Sequence, residues 1–361
     1  MRRFTLIPVA LGAVSLIATA LAPAANAVDP DTVVDGLVSP LSLAVGADGT
    51  VYVSQNFAST LTAKAPGEDK TDLYADAAHR EVGAVSVSGT TVTFATTAQG
   101  GPQDARLWTL ADGSSTPTQV ANLWNYERKH NPDGTRTYGI LGLSKKCVRS
   151  IPKKHRQGIV AYKGIKESHP YASYVAGATT YVADAAANAI WSVDAAGVHT
   201  VATLPPVKAK VDKKLRKSFG LPKCTEGKTF KGEPVPTDVE LGPDGNLYVT
   251  TLGGGLGESM PVGSVYQVAP TTGAVHKMAG GLMSPVGIAI EPTGTAYISL
   301  LFPGLIMKQP LGGDPEVFAE VPFPGDVEVS DGTVYATETD LTNDGTSPPA
   351  GKVLSWPTVA P

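Results

Sequence analysis

Short apolar runs alternating with polar residues, each broken by a turn rich in glycine, aspartate and proline, recur along most of this chain. "PTDVELGPDGNLYVTTL" (Pro236 to Leu252) is the clearest copy. Two alternating runs flank an Asp-Gly turn, which predicts a β-hairpin. The pattern returns as "SPLSLAVGADGTVYVSQ" (Ser39 to Gln55), "SPVGIAIEPTGTAYISL" (Ser284 to Leu300) and "FPGDVEVSDGTVYATET" (Phe323 to Thr339). Two weaker copies, "EVGAVSVSGTTVTFATT" (Glu81 to Thr97) and "PYASYVAGATTYVADAA" (Pro170 to Ala186), keep the alternation and the turn glycine but lose the aspartate.

A third and a fourth run follow every copy but the last, as in "GSVYQVAP" and "GAVHKMAGGL", so one unit reads as four antiparallel strands. Units of this size predict a propeller blade. An aromatic on the second strand steps through Tyr52, Phe94, Tyr181, Tyr248, Tyr297 and Tyr335. The expectation is an all-β chain, a six-bladed β-propeller. The last unit ends at its third run, "GKVLSW" (Gly351 to Trp356), while "TVVDGL" (Thr32 to Leu37) is a fourth strand without a blade. The two should pair and close the ring, removing the open edges.

Composition agrees with an ordered globular protein: 361 residues, 42% hydrophobic and 17% charged, with 39 Gly and 29 Pro to supply turns. Residues 1–27 stand apart. Arg2 and Arg3, an apolar stretch from Leu6 to Leu21, and Ala25-Asn26-Ala27 form the pattern of a cleavable secretory signal. The propeller is then expected over 28–361, exported, with no later membrane span, and monomeric. In an oxidising compartment the only two cysteines, Cys147 and Cys224, are expected to form a disulfide.

Two gaps between units are long, about 124–168 and 206–232, and each carries one cysteine. Both replace a link from a fourth strand to the next first strand, so both should emerge on the same face as a disulfide-linked cap. Charge separates along that boundary. From 125 to 232 there are 20 Lys and Arg against 7 Asp and Glu, whereas the remainder has 9 against 26. In "VKAKVDKKLRKSFG" (Val207 to Gly220), Val207, Val211, Leu215 and Phe219 recur every four residues, which predicts a short amphipathic helix ending at Gly220. Its Lys208, Lys210, Lys213, Lys214, Arg216 and Lys217 are candidates for an anion, either anionic lipid or a cell-wall phosphate polymer. They are equally consistent with a merely solvated face. Nucleic acid is not expected, since no aromatics suited to base stacking accompany the lysines.

"PTDVELGPDGNLYVT" and "YVADAAANAIWSVDAAG" (Tyr181 to Gly197) resemble NHL-type and SMP-30-like propeller repeats. With "NPDG" (Asn131 to Gly134) and the final "AGKVLSW", the whole chain resembles the exported ScyD/ScyE family of propellers. Such motifs specify fold better than chemistry. Asp238 and Asp326 should lie near the channel mouth, with Asp184 and Glu338 ending two second strands. Four carboxylates converging there could hold Ca2+ or another divalent cation, or could simply accept backbone amides. The likeness to SMP-30-type lactonases implies a metal-dependent hydrolase, but the early Glu-Gly-Pro segment of those enzymes is missing and Asn188 is a loose match for a second ligand. The six histidines show no paired metal spacing, no Gly-x-Ser-x-Gly elbow occurs, and "GGGLG" (Gly253 to Gly257) reads as a second-to-third strand loop. Two functions follow: a binding or scaffold protein acting through the channel mouth and basic cap, towards a small molecule or an extracellular polyanion, and the hydrolase as the alternative.

Overall fold

The computed structural model describes residues 29–310, 312–341 and 347–358. The signal-like segment 1–27 lies outside them. Seven four-stranded antiparallel sheets make up the described chain. Six follow the repeat units, and five of these have their strands in chain order, from first to fourth, as in Pro236–Leu241, Leu247–Thr251, Gly263–Val268 and Val275–Leu282. The first strands of these six sheets touch one another in a closed cycle: Leu43–Val45, Glu81–Ser88, Pro170–Ala176, Pro236–Leu241, Pro285–Ile290, Pro324–Ser330 and back to Leu43–Val45. This is the arrangement of a β-propeller.

The hydrophobic core is divided in the same way. Six clusters each lie between two neighbouring sheets, such as Val82, Val92 and Phe94 against Ala44 and Leu61, or Val327, Val334 and Trp356 against Tyr297 and Ile306. All six second-strand aromatics sit in one of these interfaces. Alternation explains this: the inner strands bury residues on both faces, so the sheets stack around the axis rather than enclosing a single core. The turn glycines make the hairpins tight. Gly245, at φ +75°, occupies a conformation a side chain would resist, and the Asp244 carboxylate beside it accepts from the Asn246 amide at 3.1 Å.

Asp31–Leu37 pairs with Gly351–Pro357, with Thr32 opposite Leu354, and completes the last sheet as the pattern implied. The seventh sheet belongs to the two insertions. Its order is Tyr162–Lys163, Thr137–Ile140, Thr229–Gly232, Val207–Lys210, so a pair of strands from each insertion joins edge to edge in one sheet. Ile140, Val207, Ala209, Val211, Leu215 and Leu221 fill a core of their own beneath it. Cys147 and Cys224 form a disulfide with Cα atoms 5.9 Å apart.

The amphipathic segment departs from expectation. Val207–Lys210 is a strand with alternately buried and exposed residues, and the helix covers only Lys213–Ser218. A spacing of four is even, so it satisfies a strand's period of two as well as a helical turn. Asp212 separates the two elements, accepting from the Leu215 amide at 2.7 Å as a helix N-cap. The "GGGLG" loop also differs, because Gly254–Gly257 forms one helical turn whose Leu256 joins the cap core.

Candidate functional site

The six first strands begin on the face that carries the cap. In four of them a residue with positive φ stands before the opening proline: Ser39, Val235, Ser284 and Phe323, at +47°, +54°, +53° and +48°. The carbonyl of each then accepts from the residue that follows the second strand, as in Leu252 N to Val235 O at 3.0 Å and Leu301 N to Ser284 O at 2.9 Å. For Val235, a β-branched residue, this conformation is strained. A register shift follows in each of the last three sheets, between Pro236 and Asp238, Pro285 and Gly287, and Pro324 and Val327.

Asp238 and Asp326 are buried and staple neighbouring sheets together. Asp238 Oδ2 accepts from Ile288 N of the next sheet at 2.6 Å, and Asp326 Oδ2 accepts from Leu43 N at 2.8 Å. Ser42 repeats the device, its hydroxyl accepting from Val85 N at 2.8 Å. The two aspartates also face each other across the sheet between them. Gly287 makes room, since a Cβ there would lie 3.0 Å from the Asp326 Cα. Burial, and next the Asp326 charge, push the Asp238 carboxyl well above the usual carboxylate range. Asp326 is raised to about 7, chiefly by burial. Two residues on, Glu240 and Glu328 point to the same face of their strands. Burial and then the Glu328 charge raise Glu240, while burial and the two aspartates raise Glu328. Tyr174 joins them, raised by burial and by Glu240.

The remaining two candidates lie elsewhere. Asp184 is buried with both oxygens occupied, accepting from Ser168 Oγ (2.6 Å) and Trp191 Nε1 (3.1 Å) on one side and from the amides of His169, Ala186 and Ala187 on the other. Glu338 is half-buried and pairs with Lys352 at 3.6 Å. Among the described residues, no group of three or more His, Cys, Asp and Glu is placed to hold a metal ion. Asp238 and Asp326 are therefore brought together, while Asp184 and Glu338 are not.

Two groups escape the sequence. His169 Nε2 lies 3.2 Å from Glu81 Oε2, whose other oxygen accepts from Asn56 Nδ2 at 3.0 Å. Burial disfavours both charges, yet each stabilises the other, so Glu81 ends below its ordinary value and His169 above. The second group lies at the root of the cap. Asp133 Oδ2 accepts from Tyr138 Oη and Asn188 Nδ2, both at 3.0 Å, and Asn188 Oδ1 accepts from Val235 N at 3.1 Å. These bonds knit the first insertion to two sheets of the ring. Asn188, a loose metal-ligand match by sequence, is thus a bracing residue. Burial raises Asp133, raises Glu233 to about 7, and together with Asp184 and Asp133 raises Glu127 to about 8.

On the cap's outer side Lys208, Lys210, Lys213, Lys214 and Lys217 are exposed. Arg216 is not free: its Nε bonds Glu226 Oε2 at 3.1 Å and its Nη1 donates to Leu221 O at 3.1 Å. Of the 7 acidic residues counted between 125 and 232, Glu127, Asp133 and Asp184 are buried. The exposed face is consequently more basic than the sequence count implies.

Comparison with solved structures supports a β-propeller. The aldose sugar dehydrogenase of Streptomyces coelicolor, in its PQQ-bound form, aligns over 90% of this chain and 96% of its own at 13% identity and a TM-score of 0.56. A Bacteroides thetaiotaomicron protein of unknown function aligns over 91% and 72% at 13% identity and 0.55. A luciferin-regenerating enzyme aligns over 91% and 95% at 11% identity and 0.53. At such identity the likeness concerns the fold alone. No family model and no curated protein sequence matches the chain, so the resemblance to the ScyD/ScyE family is not confirmed.

Proposed function

We propose that this is an exported, six-bladed propeller that acts as a binding protein, its basic cap docking on an extracellular anionic polymer such as a phosphate-bearing cell-wall chain. The observation that carries this reading is the cap itself. Two insertions share one sheet, one apolar core and one disulfide, and present five lysines of a single short segment to solvent. An anionic lipid surface is the poorer fit. Val207, Val211 and Leu215 are buried in the cap core, so no apolar helix face is left to enter a bilayer. Binding through charge alone should weaken with salt. Replacing Lys208, Lys210, Lys213, Lys214 and Lys217 by Glu should lower affinity for a polyphosphate polymer by about tenfold or more at low ionic strength while leaving the far-ultraviolet circular dichroism unchanged. Unaltered retention of that variant on an immobilised polyphosphate would reject the reading.

A second reading, the divalent-metal-dependent hydrolase, has the buried Asp238 and Asp326 pair in its favour, because strongly shifted carboxyls gather at reactive sites. Hydrolysis of lactones or aryl esters that requires a divalent ion and disappears in Asp238→Asn would support it. A panel of such substrates left intact in the presence of Ca2+, Mn2+ or Zn2+ would remove it.

A further inference from the structure

An open groove of about 670 Å3 runs along the side of the ring, between the outer strand Gly197–Thr203 of one sheet and the outer strand Val275–Leu282 of the next, with Pro132 and Arg136 of the first insertion also in its wall. Neither the axial aspartates nor the five cap lysines line it. Its walls are fixed. Gly273, at φ +68°, lets the hairpin tip of the second of these sheets rest on Val201 O, a place where a Cβ would collide. On the opposite wall Arg136 Nη2 donates to Thr203 Oγ1 at 3.1 Å and to Thr203 O at 3.4 Å, which pins the guanidinium.

The charge of the groove is wholly positive. Arg136 and Lys277 line it and no carboxylate does. Among the described residues neither cation has an ion-pair partner, and Arg136 Nε and Nη1 have no acceptor. Asp133 feels the Arg136 charge, but its Oδ2 is taken by Tyr138 and Asn188. Composition does not explain Lys277, one of only 9 basic residues against 26 acidic outside 125–232. A second observation lies beside that lysine. Across the hairpin Lys277 is opposite Tyr266 and Gly280 opposite Ser264, so all four face one side of their sheet. Lys277 Cε and Nζ fill the space over Gly280 where a side chain would begin, and Ser264 Oγ is 3.6 Å from that point. Ser264 is fully buried, and its hydroxyl has no hydrogen-bond partner. Buried polar groups are nearly always paired, so this hydroxyl lacks an acceptor that protein atoms do not supply.

We propose that this groove binds a phosphorylated sugar or polyol. The phosphate, close to a dianion at neutral pH, matches two cations without a carboxylate between them. Arg136 presents Nε and Nη1 as the parallel donors that a phosphate takes in pairs. The anion draws the exposed Lys277 ammonium off Gly280, and one of its oxygens accepts from Ser264. The carbon skeleton lies on Val201 and Val275, within reach of the Thr200 and Thr272 hydroxyls that share the wall. This site stands independently of polymer docking by the cap.

Calorimetric titration of the whole mature protein with glucose 6-phosphate, glucose and inorganic phosphate tests the site. Glucose 6-phosphate should bind about tenfold or more tightly than either fragment alone. Lys277→Gln, at an exposed position without a partner, should weaken that binding by about tenfold or more and leave the unfolding temperature unchanged. Arg136→Lys keeps the charge, loses the fork and should also bind more weakly. Ser264→Ala should weaken binding too, whereas an idle hydroxyl would leave the affinity as it was. All these variants retain the five cap lysines, so their outcome is separate from that of polymer docking. Competition by a poly(glycerol phosphate) would mark a polymer end as the source of the phosphate, and its absence a free sugar phosphate; either result keeps the site. Unchanged affinity in Lys277→Gln or in Ser264→Ala, or glucose 6-phosphate held no more tightly than inorganic phosphate, overturns the proposal.

Discussion

Raising the pH from 4 to 7 should destabilise this protein, and Asp326→Asn should flatten that dependence. Asp326 has a folded value of about 7 against an ordinary 3.8, and Asp238, Glu240 and Glu328 are raised by the same burial. Below pH 4 these groups are protonated in both states and contribute no difference. Between 4 and 7 the unfolded chain releases protons that the folded one retains, so the unfolded state binds fewer protons and stability falls as pH rises. One carboxyl displaced that far costs on the order of 3 to 4 kcal/mol of stability by pH 7. Asp76 works in the opposite sense. Burial raises it, but Arg80 and Tyr74 outweigh that and hold it at about 2, so its contribution is complete above the ordinary value and lost in strong acid. Maximum stability is therefore expected near pH 4 to 5. Unfolding temperatures of the unaltered protein and Asp326→Asn, measured from pH 4 to 8, decide the matter. Parallel curves would show that the axial carboxyls titrate normally.

Replacing both cysteines, as Cys147→Ser with Cys224→Ser, should loosen the cap without unfolding the ring. The disulfide closes a loop with a sequence separation of 77, for which chain entropy gives about 4 kcal/mol. The cap sheet depends on that link, because its central pair, Thr137–Ile140 and Thr229–Gly232, comes from different insertions and is joined by only two residue pairs. Amide hydrogen exchange should accelerate in those strands and in Val207–Lys210 while the ring strands keep their protection. Binding to polyphosphate should fall with it, since the lysines lose their common support. If ring and cap amides accelerate together, the two are one cooperative unit.

The repeat units are legible in the sequence because each sheet buries both faces, which leaves an apolar alternation and a turn in every copy. The pairing of Asp31–Leu37 with Gly351–Pro357 is legible for the same reason, as a missing fourth strand and an unclaimed one. What stays hidden depends on contacts between units. Glu81 lies in one sheet and His169 just before the first strand of the next, with no mutual spacing, and Asp133 reaches Asn188 across 55 positions. The strand at Val207–Lys210 reads as helix from its spacing alone, because its partner, Thr229–Gly232, supplies the hydrogen bonds that decide between two periods. Asp184 and Glu338 attract notice by their place at strand ends. Placement cannot show that Asp184 is already saturated by five donors.

The sheet shared between Asp31–Leu37 and Gly351–Pro357 also has a kinetic meaning. Every other sheet of the ring can form from residues close together in the chain, whereas this one must wait until the last strand has found one of the first. The entropic cost of such a distant meeting grows only slowly with length, but the encounter itself is slow. An incomplete ring with one sheet open should accumulate during refolding, exposing the edge of Gly351–Pro357 to other chains. Peptides matching residues 31–37 would compete for that edge, which makes ring closure the step at which this molecule is most open to interference.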